Sequence, residues 1–186
     1  MQSGRVILSP ERFDIVLRRL AHQLLENYDD FENTCVIGIQ EKGVILGQQL
    51  KALIEEEDKR EEKILFGKLD ISFYRDDFRS REMPIKVSPT DIEFSLDGKR
   101  VILIDDVLYT GRTIQAALSA LQDYGRPSQV DLLVMVERRF KRQVPIQPDY
   151  YGIVVDAFDN AYVRVIWNEK TSKHKVQIFS AETEEV

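Results

Sequence analysis

Apolar and polar positions along this chain follow two periods, and the switches between them mark out its elements. Phe13, Val16, Leu17, Leu20 and Leu24 recur at helical spacing, which predicts a first helix with one buried stripe running to about Tyr28. Ser9, Pro10 and Glu11 mark its start: a side-chain cap, a proline where no amide donor is needed, and an acid facing the positive helix end. Residues 35 to 39 form an apolar run short enough for a buried strand, and a second helical pattern follows Gly43 through Leu46, Leu50, Leu53 and Ile54 into the acidic run Glu55–Asp58. From Leu65 to Tyr74 the period changes to two, with Leu65, Gly67, Leu69, Ile71 and Phe73 alternating with Lys68, Asp70, Ser72 and Tyr74; this is the pattern of a strand with one exposed face.

Residues 79 to 99 are polar, contain Pro84 and Pro89, and close on Asp97-Gly98, so a long mobile connection is expected there. Val101–Ile104 is a wholly apolar strand, Thr113–Tyr124 is helical with Gly125 placed to end it, and Val130–Val136 is apolar again. Strand, helix, strand implies parallel pairing. Beyond Arg138 the patterns shorten into turns around Pro145, Pro148 and Gly152, with strand-like pieces at 151–155, 162–167 and 175–179. The expected fold is α/β: a central, mainly parallel sheet flanked by helices, with a small cover, or hood, built from the carboxyl-terminal third.

Composition narrows the class. A length of 186 residues with 43% hydrophobic content suits one domain over residues 1–186. No stretch approaches the ~18 apolar residues of a membrane span, and no targeting pattern opens the chain, so a cytoplasmic protein with no membrane partner is expected. The single cysteine, Cys35, lies in the apolar run CVIGI, which favours a buried strand residue over a nucleophile. A net charge of −6 and a pI near 5.1 disfavour nonspecific nucleic-acid binding by the whole surface, though not by a local basic face.

The chemistry concentrates in VILIDDVLYTGRT, Val101 to Thr113. A buried strand delivers two adjacent carboxylates, Asp105 and Asp106, to its carboxyl end, where ligands gather in open α/β sheets. A tight turn then leads into a helix, so backbone amides from Tyr109 to Thr113, the hydroxyls of Thr110 and Thr113 and the positive helix end suit a phosphate monoester. Carboxylates accept hydrogen bonds from vicinal hydroxyls and hold magnesium through water. A sugar carrying both groups fits. No GxxxxGK(S/T) occurs, and GIQEKGVILG lacks the GxGxxG spacing, so a P-loop NTPase or a dinucleotide enzyme is not expected.

The whole string resembles the binding signature of type I phosphoribosyltransferases for 5-phosphoribosyl-1-diphosphate (PRPP): four apolar residues, two acids, two apolar residues, then x-T-G. Together with YRDD at 74–77, GRP at 125–127 and PIQPDYYG at 145–152, it looks like the PyrR family, pyrimidine-operon attenuators that are also uracil phosphoribosyltransferases. The likeness runs from Ser9 to about Gly152. It implies that Asp105 and Asp106 hold the ribose hydroxyls and, through water, Mg2+, with Tyr109, Thr110, Gly111, Arg112 and Thr113 around the 5-phosphate. Glu41, Lys42 and Gly43 match the diphosphate loop, where the family more often has arginine at the Lys42 position, and Tyr74, Arg75, Asp76 and Asp77 match a catalytic loop that closes over the reaction. Glu137 and Arg138 fall at the base. The implied ligands are PRPP, a nucleobase and UMP- or GMP-type nucleotides, and the implied assembly is a homodimer or higher homo-oligomer.

In purine-using relatives the residue before Thr-Gly is an aspartate; here it is Tyr109, which makes a purine less expected, and simple packing on the turn is the other reading of this residue. One segment departs from the family: DRGHRELPI is expected after the last core strand, and this chain has ERRFKRQVPI from Glu137, one residue longer and without the glycine and histidine. The family's GKNIPTS is replaced by GIVVDAFDN, closer to hypoxanthine-using relatives. Three readings follow: a uracil phosphoribosyltransferase making UMP, an enzyme for another base, and an RNA-binding regulator using Arg18, Arg19 and His22 with Arg138, Arg139, Lys141 and Arg142.

Overall fold

The computed structural model describes residues 4–28, 31–58, 63–74, 89–157, 161–168, 171 and 173–180. Five strands form an all-parallel sheet in the order β3-β2-β4-β5-β6: β2 (Thr34–Ile39), β3 (Leu65–Leu69), β4 (Arg100–Leu108), β5 (Gln129–Arg138) and β6 (Tyr150–Val155). Helices α1 (Pro10–Asn27) and α2 (Lys42–Asp58) cover one face and α3 (Arg112–Leu121) the other. Strand alternation divides the core accordingly: Val36, Ile102, Ile104, Leu133 and Met135 pack towards α1 and α2, whereas Cys35, Ile37, Val101, Leu103, Leu132 and Val134 pack towards α3. Both faces are covered, which is why these strands read as unbroken apolar runs. Burial pushes the Cys35 thiol up to about 12, in keeping with a packing role.

The start of α1 follows its sequence signals. The Arg12 amide lies 3.5 Å from Ser9 Oγ, Pro10 occupies the first turn, and Phe13, Leu17, Leu20, Ala21 and Leu24 are buried. Helix α3 ends in a 3-10 turn, Gln122–Tyr124, at Gly125, which has φ 133°.

Three features depart from the sequence expectation. Strand β3 stops at Leu69 rather than running to Tyr74. Side chains take over the backbone there, because Thr90 Oγ1 accepts the Asp70 amide at 3.0 Å and Asp70 Oδ1 accepts the Ser72 amide at 2.6 Å, local bonds that compete with a ladder. The piece around 151–155 belongs to the main sheet as its edge strand β6, not to the cover. The hood is a three-stranded antiparallel sheet, β1-β8-β7, built from both ends of the sequence: β1 (Arg5–Leu8), β7 (Ala161–Ile166) and β8 (Lys175–Ser180). Its inner residues Leu8, Val163, Val165 and Val176 join the α1/α2 core. Among the described residues, no helix is long and apolar enough to cross a membrane.

For the site, register matters most. Gly38 of β2 pairs with Ile104 of β4, and Leu108 of β4 with Glu137 of β5, so the carboxyl ends of these neighbouring strands release their loops side by side.

Candidate active site

Asp105 and Asp106 arrive at the end of β4 nearly buried, 9% and 8% exposed. Strand periodicity sends them to opposite sides, and Asp105 Oδ1 turns back to accept the Asp106 amide at 2.8 Å. Burial raises the pKa of Asp105, with the neighbouring Asp106 charge adding to it. Burial also raises that of Asp106, opposed by Lys42. Lys42 Nζ stands 3.3 Å from Asp106 Oδ2, close enough for an ion pair, yet that buried oxygen accepts no hydrogen bond among the described residues. The carboxylate is therefore charge-compensated but left with acceptor capacity that a ligand can use.

Lys42 is delivered by the loop from β2 to α2. Glycine makes the approach possible: a Cβ at Gly43 would run into the Ile104 carbonyl oxygen and stand 3.1 Å from Asp105 Cα, so only a residue without a side chain lets α2 begin against β4. The Gln40–Glu41 peptide is cis. Gln40 holds the loop from the other side, its amide donating to the Leu69 carbonyl and its Nε2 to the Pro89 carbonyl, both at 2.9 Å. Glu41 is exposed.

After Leu108 the chain turns through Tyr109, Thr110 and Gly111 into α3. Gly111, at the N-cap, is left-handed, φ 90° and ψ −8°, and offers no side-chain cap, while Thr110 Oγ1 accepts the Arg112 amide at 3.4 Å. Thr110 and Thr113 are half-buried and Arg112 is exposed. A helix start with glycine at its N-cap and two hydroxyls beside it is a natural anion seat. The segment leaving β5 closes over this turn: the amides of Gln143 and Val144 both donate to the Thr110 carbonyl, at 2.9 and 3.1 Å.

Glu137 and Arg138, the residues assigned to the base, lie next to the turn. Arg138 is 6% exposed, its guanidinium sits 3.9 Å from the centre of the Tyr109 ring, and it donates to the Ala161 carbonyl of the hood at 2.9 Å. Burial lowers its pKa, opposed by Tyr109. The guanidinium is thus used to brace Tyr109 against the hood, in a cation–π contact. Glu137 pairs with Arg142 at 3.2 Å.

Tyr74 is placed elsewhere. It is 38% exposed and its hydroxyl donates to Asp123 in the 3-10 turn after α3, the end of that helix remote from Gly111, so the structure does not bring it to the acid pair. Arg75, Asp76 and Asp77 lie outside the described residues, as does most of the connection expected to be mobile. Of the basic residues considered for RNA, Arg18 pairs with Asp14 at 3.3 Å, His22 meets Glu57 at 3.1 Å, Arg19 donates to the carbonyls of Tyr151 and Gly152, and Arg139 grips Asp156 through two bonds of 2.7 and 2.9 Å. Sequence reasoning did not find Gln40 as a loop tether. It named Arg142 only as part of a charged run, and no local period distinguishes a buried arginine there from a solvated one.

Comparison with known proteins defines the class. Residues 6–170 match the model of the phosphoribosyl transferase domain, and the solved hypoxanthine phosphoribosyltransferase of Staphylococcus aureus shares the fold with a TM-score of 0.68 at 19% identity, over 97% of this chain and 93% of that one. The Trypanosoma cruzi hypoxanthine enzyme gives 0.69 at 15% identity, over 97% and 98%. Nearer in sequence is the bifunctional protein PyrR of Desulfosudis oleivorans, 38% identical over 178 residues, 96% of this chain and 97% of that protein. The bifunctional protein PyrR of Geobacter sulfurreducens is 41% identical over 152 residues, 82% and 84% respectively. The chain belongs to the PyrR family of type I phosphoribosyltransferases.

Proposed function

We propose that this phosphoribosyltransferase transfers the 5-phosphoribosyl group of PRPP to uracil, giving UMP and diphosphate, with the whole chain acting as one catalytic domain. The observation that carries the reading is the convergence at neighbouring strand ends of a buried acid pair, a lysine-bearing loop and a glycine turn that opens a helix. Asp105 and Asp106 bind the ribose hydroxyls, Thr110 to Thr113 seat the 5-phosphate, Glu41 to Gly43 face the diphosphate, and Tyr74 to Asp77 belong to the closing loop. Glu137 and Arg138 border the base. Tyr109 stands where purine-using relatives place a proton-handling aspartate, and its ring is fixed by Arg138; together with the PyrR relatives this favours uracil.

In the transfer, the bond from C1 of the ribose to the diphosphate oxygen breaks, its electron pair leaves with the diphosphate, N1 of uracil forms the new bond to C1, and the N1 proton passes to water. Positive charge builds on the sugar ring while negative charge builds on the leaving group. The carboxylates below the ribose favour the first, and Lys42 with the amides around Gly43 favours the second. Lys42 is half exposed and can turn towards the diphosphate, while the nearly buried Asp106 charge it leaves must then be met by the ribose hydroxyls. Magnesium fits the site, because Asp105 and Asp106 offer hard oxygen donors and Asp106 Oδ2 is buried without a hydrogen bond. No group of three potential ligands gathers among the described residues, so the rest of an ion's shell is left to water and PRPP. When bound it neutralises diphosphate charge.

Diphosphate release from PRPP is measured with uracil, cytosine, hypoxanthine, guanine, xanthine and adenine in turn. Uracil is expected to give the highest kcat/KM. A purine that outpaces uracil overturns the base assignment, and no release with any base overturns the reaction.

A further inference from the structure

The segment that leaves β5 is one residue longer than its family pattern, and in the structure it folds back as a strap over the turn after β4. Lys141 reverses the strap with φ 66°, a left-handed conformation uncommon for a residue with a side chain. Arg142 then enters between strap and turn. One of its Nη atoms donates to the Tyr109 carbonyl, and the other lies 3.2 Å from Glu137 Oε1, where both side chains are only 17% exposed. The next two residues continue the grip, since the Gln143 and Val144 amides share the Thr110 carbonyl and Gln143 Oε1 accepts from Arg112 Nη1 at 3.2 Å. Packing leaves no slack: a Cβ on Gly111 would sit 3.2 Å from Val144 and 3.5 Å from Arg142 Cδ.

Peptide planarity turns these contacts into a statement about the ligand. In a trans peptide the carbonyl and the following N–H point in opposite directions. Holding the Tyr109 and Thr110 carbonyls towards the strap therefore aims the amides of Thr110 and Gly111 away from it. We propose that Arg142 is a positioning residue for the 5-phosphate: anchored on the half-buried Glu137 carboxylate, it fixes the peptide planes whose amides receive the phosphoryl oxygens. Preorganised donors of this kind give affinity because no reorientation remains to be made on binding. Glu137 pairs in register with Leu108, so the same carboxylate that borders the base subsite fastens the phosphate turn. The inference rests on the phosphoribosyltransferase reading and adds a residue with no contact to substrate.

The test measures binding of PRPP and of ribose 5-phosphate calorimetrically without base, alongside steady-state kinetics and Tm, for the full chain carrying Arg142→Gln, Arg142→Lys or Glu137→Gln. Arg142→Gln is expected to weaken both ligands and raise KM for PRPP by roughly ten- to a hundredfold, the range of charge-assisted hydrogen bonds, with kcat changed less than threefold. Arg142→Lys, which can still make one charged contact, should recover part of the loss, and Glu137→Gln combined with Arg142→Gln should cost less than the product of the two single effects. Should Arg142→Gln fail to fold, the lysine and Glu137 variants give the same comparison. Wild-type affinity for both ligands in a folded Arg142 variant, or a fall in kcat with KM unchanged, overturns the positioning role. A wild-type protein that binds neither ligand instead removes the reading on which it rests.

Discussion

At the scale of single residues, the site is defined by what burial does to charge. Asp105 and Asp106 sit nearly out of water, with Lys42 paired to Asp106, an arrangement that packing alone does not call for, since burying two adjacent carboxylates is costly unless something uses them. Asp105→Asn with Asp106→Asn keeps size and hydrogen-bonding capacity while removing charge. Turnover should fall on the order of a hundredfold or more with Tm unchanged or raised, because the like-charge repulsion is relieved. Retention of wild-type kcat/KM by the double variant would remove the ribose role. Gly111 gives the complementary case, where shape rather than charge decides. Alanine there must adopt φ 90°, at a cost of about 1–2 kcal/mol, with its Cβ pressed to 3.2 Å from Val144. Gly111→Ala should lower Tm by a few degrees and raise KM for PRPP more than it lowers kcat; a variant with both Tm and KM at wild-type values would show that the turn tolerates another geometry.

At the scale of elements, the part of the protein built from contiguous sequence was the legible part. β4, its acid pair, the Gly111 turn and α3 follow one another without interruption, so their order was legible from spacing, while the roles proposed for their residues came from the resemblance to phosphoribosyltransferases. What escaped depends on partners distant in sequence. Arg5–Leu8 is four residues long and becomes a strand only because β8 lies beside it, and β3 loses its last turns to Thr90, which arrives from beyond the next connection. The hood also carries a pH dependence with a definite sign. His174 is buried against Phe13 and Trp167, its Nδ1 accepts the Asn168 amide at 3.1 Å, and its Nε2 meets the Gln49 side-chain amide at 2.7 Å. An accepting Nδ1 places the proton of the neutral ring on Nε2, so Gln49 must present its oxygen there. Burial lowers the His174 pKa from its ordinary 6.5. A depressed folded-state value contributes stability that is present above about 6.5, where the ring is neutral in both states, and is lost as pH falls through the folded-state value. Unfolding monitored by Trp167, the only tryptophan, should therefore show Tm falling below pH 6.5 more steeply in the native chain than in His174→Gln. Parallel Tm profiles would assign the acid sensitivity to other groups.

At the scale of the whole molecule, the sequence left open whether the chain reads RNA as well as catalysing transfer, and the structure bears on this through the way its cations are used. The net charge is −6, so attraction to a polyanion must come from a local face. Six of the seven basic residues offered for that face have internal partners that bear on it: Arg18 and His22 with Asp14 and Glu57, Arg19 with backbone carbonyls of β6, Arg139 with Asp156, Arg138 with Tyr109 and the hood, and Arg142 with Glu137 and Tyr109. Each would have to give up an intramolecular partner to meet a phosphate, which subtracts from the counterion release that drives such binding. Sequence-specific RNA reading further needs stacking surfaces and base-edge contacts; Phe140 is the exposed ring of the strap, and exposure of a ring does not by itself read a sequence. The expected outcome in a titration against a pyrimidine-operon leader and a scrambled RNA of equal length is weak binding to both, equal within a few fold, with a log–log salt slope of roughly 0.7 for each phosphate neutralised. Nanomolar affinity for the leader with at least hundredfold preference over the scramble would mean that the ion pairs open on contact with RNA, and the chain would then couple attenuation to catalysis despite its altered strap.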